Sequence, residues 1–178
     1  MRKIVLTFGL IAGAILSAMM LITLLFQDQI GFDRLAIIGY TSMVLAFLMV
    51  FFGVTSYRDN VAGGSVTFGR AMTVGLMITA VASVCYVATW ELIYYKLAPG
   101  SYDKYTAHVV DKAKREGATD AEIAERTKEM SEFRPMYDKP LVNIALTLIE
   151  PLPVGILFTI ITAGVVSRKR RAEVAAIA

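Results

Sequence analysis

Cysteine and histidine each occur once in these 178 residues, as Cys85 and His108. A lone cysteine rules out an intrachain disulfide. In the middle of an apolar run it reads as a small polarisable packing residue rather than a reactive thiol. With one histidine and no cysteine pair, the chain offers no Ser-His-Asp set, no HExxH helix and no recognisable metal site. No Walker-type glycine loop is present either. No cofactor is therefore expected, no catalytic residue is assigned, and an enzyme is the least supported class. Charge is also scarce, at 19% of residues with a net +3.

Apolar sequence dominates instead. Hydrophobic residues make up 56% of the chain. They concentrate in four runs: Ile4–Phe26, Leu35–Val54, Ala71–Tyr95 and Leu141–Val166. A helix rising about 1.5 Å per residue needs roughly 20 residues to cross a hydrocarbon core. A helix also satisfies its own backbone hydrogen bonds, which lipid cannot do for it. The expectation is an all-α protein: a four-helix transmembrane bundle forming one membrane domain over residues 1–178, with the lipid bilayer as its principal partner. Met1-Arg2-Lys3 followed by apolar residues looks like a secretion signal. The run, however, exceeds the usual 7–15 residues and no small-x-small site follows, so it is expected to remain as the first span.

Charge placement sets an expected orientation. Arg2 and Lys3 precede the first span, Arg58 and Arg70 flank the second loop, and Arg168, Lys169, Arg170 and Arg171 abut the last span. That run reads as a membrane anchor at the head of the tail 167–178, not as a nucleic-acid patch. With an even number of spans, both termini are expected in the cytoplasm. The long third loop, Lys96 to Pro140, carries many basic residues of its own, which makes it an awkward extracytoplasmic segment.

Within that loop, residues 101–134 carry the signature of a helical hairpin. Ser101 is placed to cap a helix whose Tyr102, Tyr105, Val109, Val110 and Ala113 recur at helical spacing. Gly117 suits a left-handed cap. Thr119 and Glu122 have capping-box spacing for a second helix, with Ile123, Thr127, Met130 and Phe133 on one face and an end near Phe133. The pair is expected to pack on itself, lie on the membrane or bind a protein partner. His108, among surface charges, reads as solvated.

Two acids fall inside apolar spans, Glu91 and Glu150. They lie about 6 and 14 Å below the outer ends of their helices by the helical rise. An acid in the bilayer costs a few kcal/mol and normally faces a partner. The two could meet each other, share a cation or proton, or pair with Lys96. Pro151 and Pro153 remove two backbone donors beside Glu150, so a kink is expected there. Such breaks line ion sites in some transporters and are plain kinks elsewhere. Glu91, Glu150, Pro151 and Pro153 form the candidate intramembrane polar site. Trp90, Tyr94 and Tyr95 read as an interfacial belt. Small residues recur every fourth position at Gly9, Gly13 and Ser17, and at Ala71, Gly75, Thr79 and Ser83. Such stripes bring helices close, within the bundle or between copies in a homo-oligomer.

The second loop carries Arg58 and Asp59, able to pair with each other or with headgroups, and Gly63 and Gly64 for a tight turn. Four stretches now combine: YRDN with GGSVTFGRA over residues 57–71, RKIVL at the N-terminus, EMSEFRPMYDKPL at the end of the insert, and EPLPVG from Glu150. In that order they resemble an uncharacterised bacterial membrane family, domain of unknown function 4199. The resemblance implies an inner-membrane protein of about four helices. It carries no catalytic residues with it. Two functions fit: a structural, regulatory or assembly protein, and a small oligomeric proton- or cation-responsive transporter using Glu150 and Glu91.

Overall fold

The computed structural model describes the backbone of residues 1–177 and the side chains of 1–167 apart from Asp28. The Arg168–Arg171 run, expected to anchor the last span, lies outside the described side chains. Among the described residues, seven α-helices follow in order: α1 (Arg2–Ile30), α2 (Phe32–Asn60), α3 (Phe68–Leu92), α4 (Ser101–Arg115), α5 (Asp120–Tyr137), α6 (Pro140–Leu148) and α7 (Pro151–Ile177). No strand occurs among the described residues. Four stretches are long and apolar enough to cross a membrane: Arg2–Gln27, Phe32–Asn60, Phe68–Leu97 and Pro140–Ser167. They contain the four expected runs and extend them at their ends. The gap between the first two apolar runs, Phe26 to Leu35, shrinks to Gly31 as a break in helix, because α1 and α2 continue as helix through the polar residues on either side.

Two seams of small residues hold the bundle. On α1, a Cβ added to Gly9 would sit 2.7 Å from Val81 Cβ, and one on Gly13 would sit 2.6 Å from Cys85 Cβ. One further turn along, Thr89 donates to the Ser17 hydroxyl at 2.7 Å. Each contact advances four residues on both helices, so α1 and α3 run parallel in one fixed register. The second stripe of α3 turns to α7. Thr79 donates to the Gly155 carbonyl at 3.3 Å and lies 3.3 Å from the Thr159 hydroxyl. A Cβ on Gly75 would come within 2.7 Å of Thr159 Cγ2. Here one index rises as the other falls, the register of antiparallel helices. Both stripes are therefore used inside the chain. Phe47, Val50, Val54, Val74 and Ile78, all fully buried, belong to one core cluster, in which Phe47 faces Gly155 of α7.

At one end of the bundle, α2 and α3 are joined by a turn in which Gly63 and Gly64 have φ of +68° and +89°, a region costly for other residues. Thr67 then caps α3 by accepting from the Arg70 amide at 3.3 Å. Arg58 pairs with Asp59 through two bonds of 2.6 and 3.0 Å. Arg70 Nε donates to the Tyr57 hydroxyl at 3.0 Å.

At the opposite end, α3 passes into a π-helical turn, Ile93–Leu97, and the chain enters α4 and α5. Gly117 takes the expected positive φ, +85°. Thr119 and Glu122 form the full capping box. Two expectations are corrected. Ser101 does not cap α4; it is the first helical residue, and its hydroxyl donates back to the Ala98 carbonyl at 2.7 Å. α5 does not stop near Phe133 but runs through Pro135 to Tyr137, since its last turn is held by tertiary contacts described below. The start of α4 meets the end of α5: Tyr102 donates to the Met130 carbonyl at 2.8 Å, and Arg134 pairs with Asp103.

Candidate functional site

The fourth apolar stretch breaks where its prolines predict. α6 ends at Leu148, α7 begins at Pro151, and Glu150 sits in the turn between them. Its amide reaches only the Thr147 carbonyl, at 3.4 Å, so the α-helical pattern is lost for one turn. Pro151 is buried and Pro153 exposed.

The break aims Glu150 at α3. Tyr86 donates to Glu150 Oε2 at 2.5 Å. Extending the α3–α7 register past Gly155 and Thr79 puts Glu150 level with this tyrosine, about 16 Å from the Leu97 end of the third candidate span by the helical rise. Neither Glu91 nor Lys96 is the partner. Glu91 lies five residues beyond Tyr86, roughly 140° around the helix, and so faces elsewhere. Its Oε1 is buried without a hydrogen-bond partner among the described residues. No recorded contact joins the two carboxylates, and no group of three metal-ligating side chains occurs among the described residues.

Above Glu150, polar side chains continue outward between α3, α5 and α6. Asn143 is fully buried within an apolar run, donating to the Tyr137 carbonyl at 3.4 Å and accepting from Thr147 at 3.3 Å. The Tyr137 hydroxyl accepts from Trp90 Nε1 at 3.2 Å. Burial pushes this hydroxyl above its ordinary range; the bond from Trp90 opposes that, and the Glu150 carboxylate reinforces it. Tyr137 also gathers the rings of Tyr94, Tyr102 and Phe133 at 5.3, 5.6 and 6.0 Å. Trp90, Tyr94 and Tyr95, expected as an interfacial belt at the end of the third span, also reach α5 and the turn that follows it through their polar groups.

Two carboxylates outside the candidate set tie the outer helices to the spans. Asp138, just past α5, accepts from the Tyr94 hydroxyl at 2.5 Å, while its carbonyl accepts from Tyr95 at 2.9 Å. The π-helical turn lets both neighbouring tyrosines reach one residue. Arg134 lies 3.7 Å from the Asp138 carboxylate, and its bond to Asp103 raises the guanidinium pKa further. Beside Gly31, Asp33 accepts from Lys112 at 3.0 Å and lies 3.5 Å from His108 Nε2. That pairing raises the Lys112 pKa. His108 also stacks on Phe32 with ring centres 5.0 Å apart. It is packed rather than solvated, contrary to the sequence reading.

Sequence reasoning missed Tyr86, Asn143, Tyr137, Asp138 and Asp33. Asn143 alone announced itself, as an amide inside an apolar run, where lipid leaves polar groups without partners. The others are ordinary residues whose role exists only through partners distant in sequence.

The chain matches the family described as "Protein of unknown function (DUF4199)" over residues 7–168, and it belongs to that family. No curated protein and no solved structure matches it.

Proposed function

We propose that this chain is a non-enzymatic structural, regulatory or assembly protein of a bacterial inner membrane. In this reading α4 and α5 form an extramembrane hairpin held rigidly over the bundle to meet a protein partner. One observation carries the proposal: the hairpin is tied at both sides, α4 through Asp33 to the α1–α2 turn and α5 through Asp138 to the end of α3. A solvated lid needs no such anchorage, whereas a docking platform gains from it, because ordering completed beforehand is not repeated on binding. α5 is the presented face. It has no buried residue, and Phe133 and Met136 are 37% and 45% exposed among its acids. The basic residues at the opposite end, including Arg2, Lys3, Arg58 and Arg70, support a hairpin outside the cytoplasm with both termini within it.

Photo-crosslinking from Glu125 and Glu129 in intact cells tests the reading. A discrete protein adduct, lost on charge reversal of the neighbouring acids, supports it. Adducts to lipid alone contradict it.

The Tyr86–Glu150 bond favours a second reading, a proton- or cation-responsive oligomer. It ranks second, because the same bond also serves a plain helix kink. Cation flux into liposomes that Glu150→Gln abolishes would reverse that ranking.

A further inference from the structure

We propose that the face formed by α2 and the α6–α7 turn joins two copies of this chain within the membrane, the Tyr40 hydroxyl of each copy donating to the Glu150 carboxylate of the other. Glu150 Oε2 accepts from Tyr86, yet the side chain remains exposed. It lies about 15 Å from the Pro140 end of the fourth candidate span by the helical rise, within the hydrocarbon layer. An acid at that depth normally faces the bundle interior and has partners there. A carboxylate accepts several donors, and one phenol does not fill it.

The chain carries a further donor at matching depth. Tyr40 is 58% exposed and lies about 12 Å from the Phe32 end of the second candidate span. It stands two turns before Phe47 on the same side of α2, and Phe47 faces Gly155 of α7. Gly53, near the end of α2, meets Phe8, near the start of α1, so α2 is antiparallel to α1 and parallel to α7. Tyr40 and Glu150 therefore come to nearly the same level. Above the break, α6 packs mainly on α3 and α5, whereas α7 packs on α2 and α3. That change leaves the Tyr40 side of α2 open beside Glu150. Ile37 and Val44 continue the exposed stripe on either side of Tyr40, at 68% and 44%.

Depth selects the occupant. Acyl chains offer no donor at this level, and headgroups lie far above it. A two-fold axis along the membrane normal keeps every atom at its own depth. It therefore carries Tyr40 of one copy to Glu150 of the other, and repeats the bond with the roles exchanged. An unrelated protein would have to supply such a donor at this depth; a second copy already has it. The inference requires the spans to lie in a bilayer, but it needs no partner for α5 and no ion at Glu150.

Energy transfer between donor- and acceptor-labelled copies in liposomes, followed as added lipid dilutes the protein, tests it. The label is attached at Ser65→Cys on the α2–α3 turn, in a Cys85→Ala background. The otherwise native chain should form a dimer, and Tyr40→Phe or Glu150→Leu, each removing both bonds, should weaken it about tenfold. Copies carrying Tyr40→Phe and copies carrying Glu150→Leu keep one bond when they meet. That mixed pair should be about threefold tighter than either variant with itself. Circular dichroism and Trp90 emission confirm that each variant is folded. Copies that stay monomeric, as they would if lipid or another protein covered this face, overturn the proposal. So does a dimer unchanged by Tyr40→Phe, or a mixed pair no tighter than the variants alone.

Discussion

Along α1 and α3, helices meet through atoms that are absent. Gly9 and Gly13 leave room for Val81 and Cys85, and the register repeats every four residues. At the hairpin end of α3 the contact with α5 and the α6–α7 turn is made by an indole, phenols and carboxylates, each reaching a partner tens of residues away. The first seam fixes where the backbones lie. The second fixes what sits on top of them. A seam of the first kind fails when a single carbon is added, and one of the second kind when a single donor is removed.

The largest effect is therefore expected from Gly13→Leu. Overpacking against Cys85 and Ala82 should cost about 3 kcal/mol in detergent unfolding, while Gly39→Leu, with open space around it, should cost almost nothing. Equal effects at the two glycines would erase the distinction. Next comes Asn143→Leu, which leaves the Tyr137 carbonyl and Thr147 without their partner; roughly 2 kcal/mol is expected. Trp90 is the only tryptophan, so its emission reports this seam directly, and Tyr137→Phe should shift it while leaving the α1–α3 seam intact. A smaller effect, about 1 kcal/mol, is expected for Tyr86→Phe. In a double-mutant cycle with Glu150→Gln the losses should not add, because both variants remove the same bond.

The smallest effect is local to α5. Thr119→Ala should cost about 1 kcal/mol at its first turn, seen as faster amide exchange there. The Thr119 amide and hydroxyl hold Glu122 below the usual carboxylate range. Its contribution is present above about pH 4.5 and lost as pH falls through the depressed value, so acid should fray α5 before it touches the spans.

The extent to which each seam was legible follows the same division. The glycine stripes, the kink at Pro151 and Pro153, and the Thr119–Glu122 box are written at fixed local spacing, and each appears where that spacing places it. Glu150 stood out for its cost in lipid, but its partner did not. Tyr86 is one of three aromatics in α3, with Phe68 and Trp90, and only the α3–α7 register identifies it. The reach of Trp90, Tyr94 and Tyr95 to α5 and the turn after it was hidden for a related reason. An aromatic cluster at the end of a span looks the same in sequence whether lipid or another helix covers it. Asp33 and His108 lie 75 positions apart, and nothing local joins them.

The anchored hairpin is the centre of this account, and distance measurement between spin labels at Glu125 and Arg34 tests it most directly, in lipid bilayers and a Cys85→Ala background. Both positions are exposed, one on α5 and the other beside the α1–α2 turn. A single narrow distance is predicted, broadened when Asp33→Ala and Asp138→Ala are combined. A broad distribution in the otherwise native chain would mean that the hairpin swings freely over the membrane, and the platform reading would be wrong.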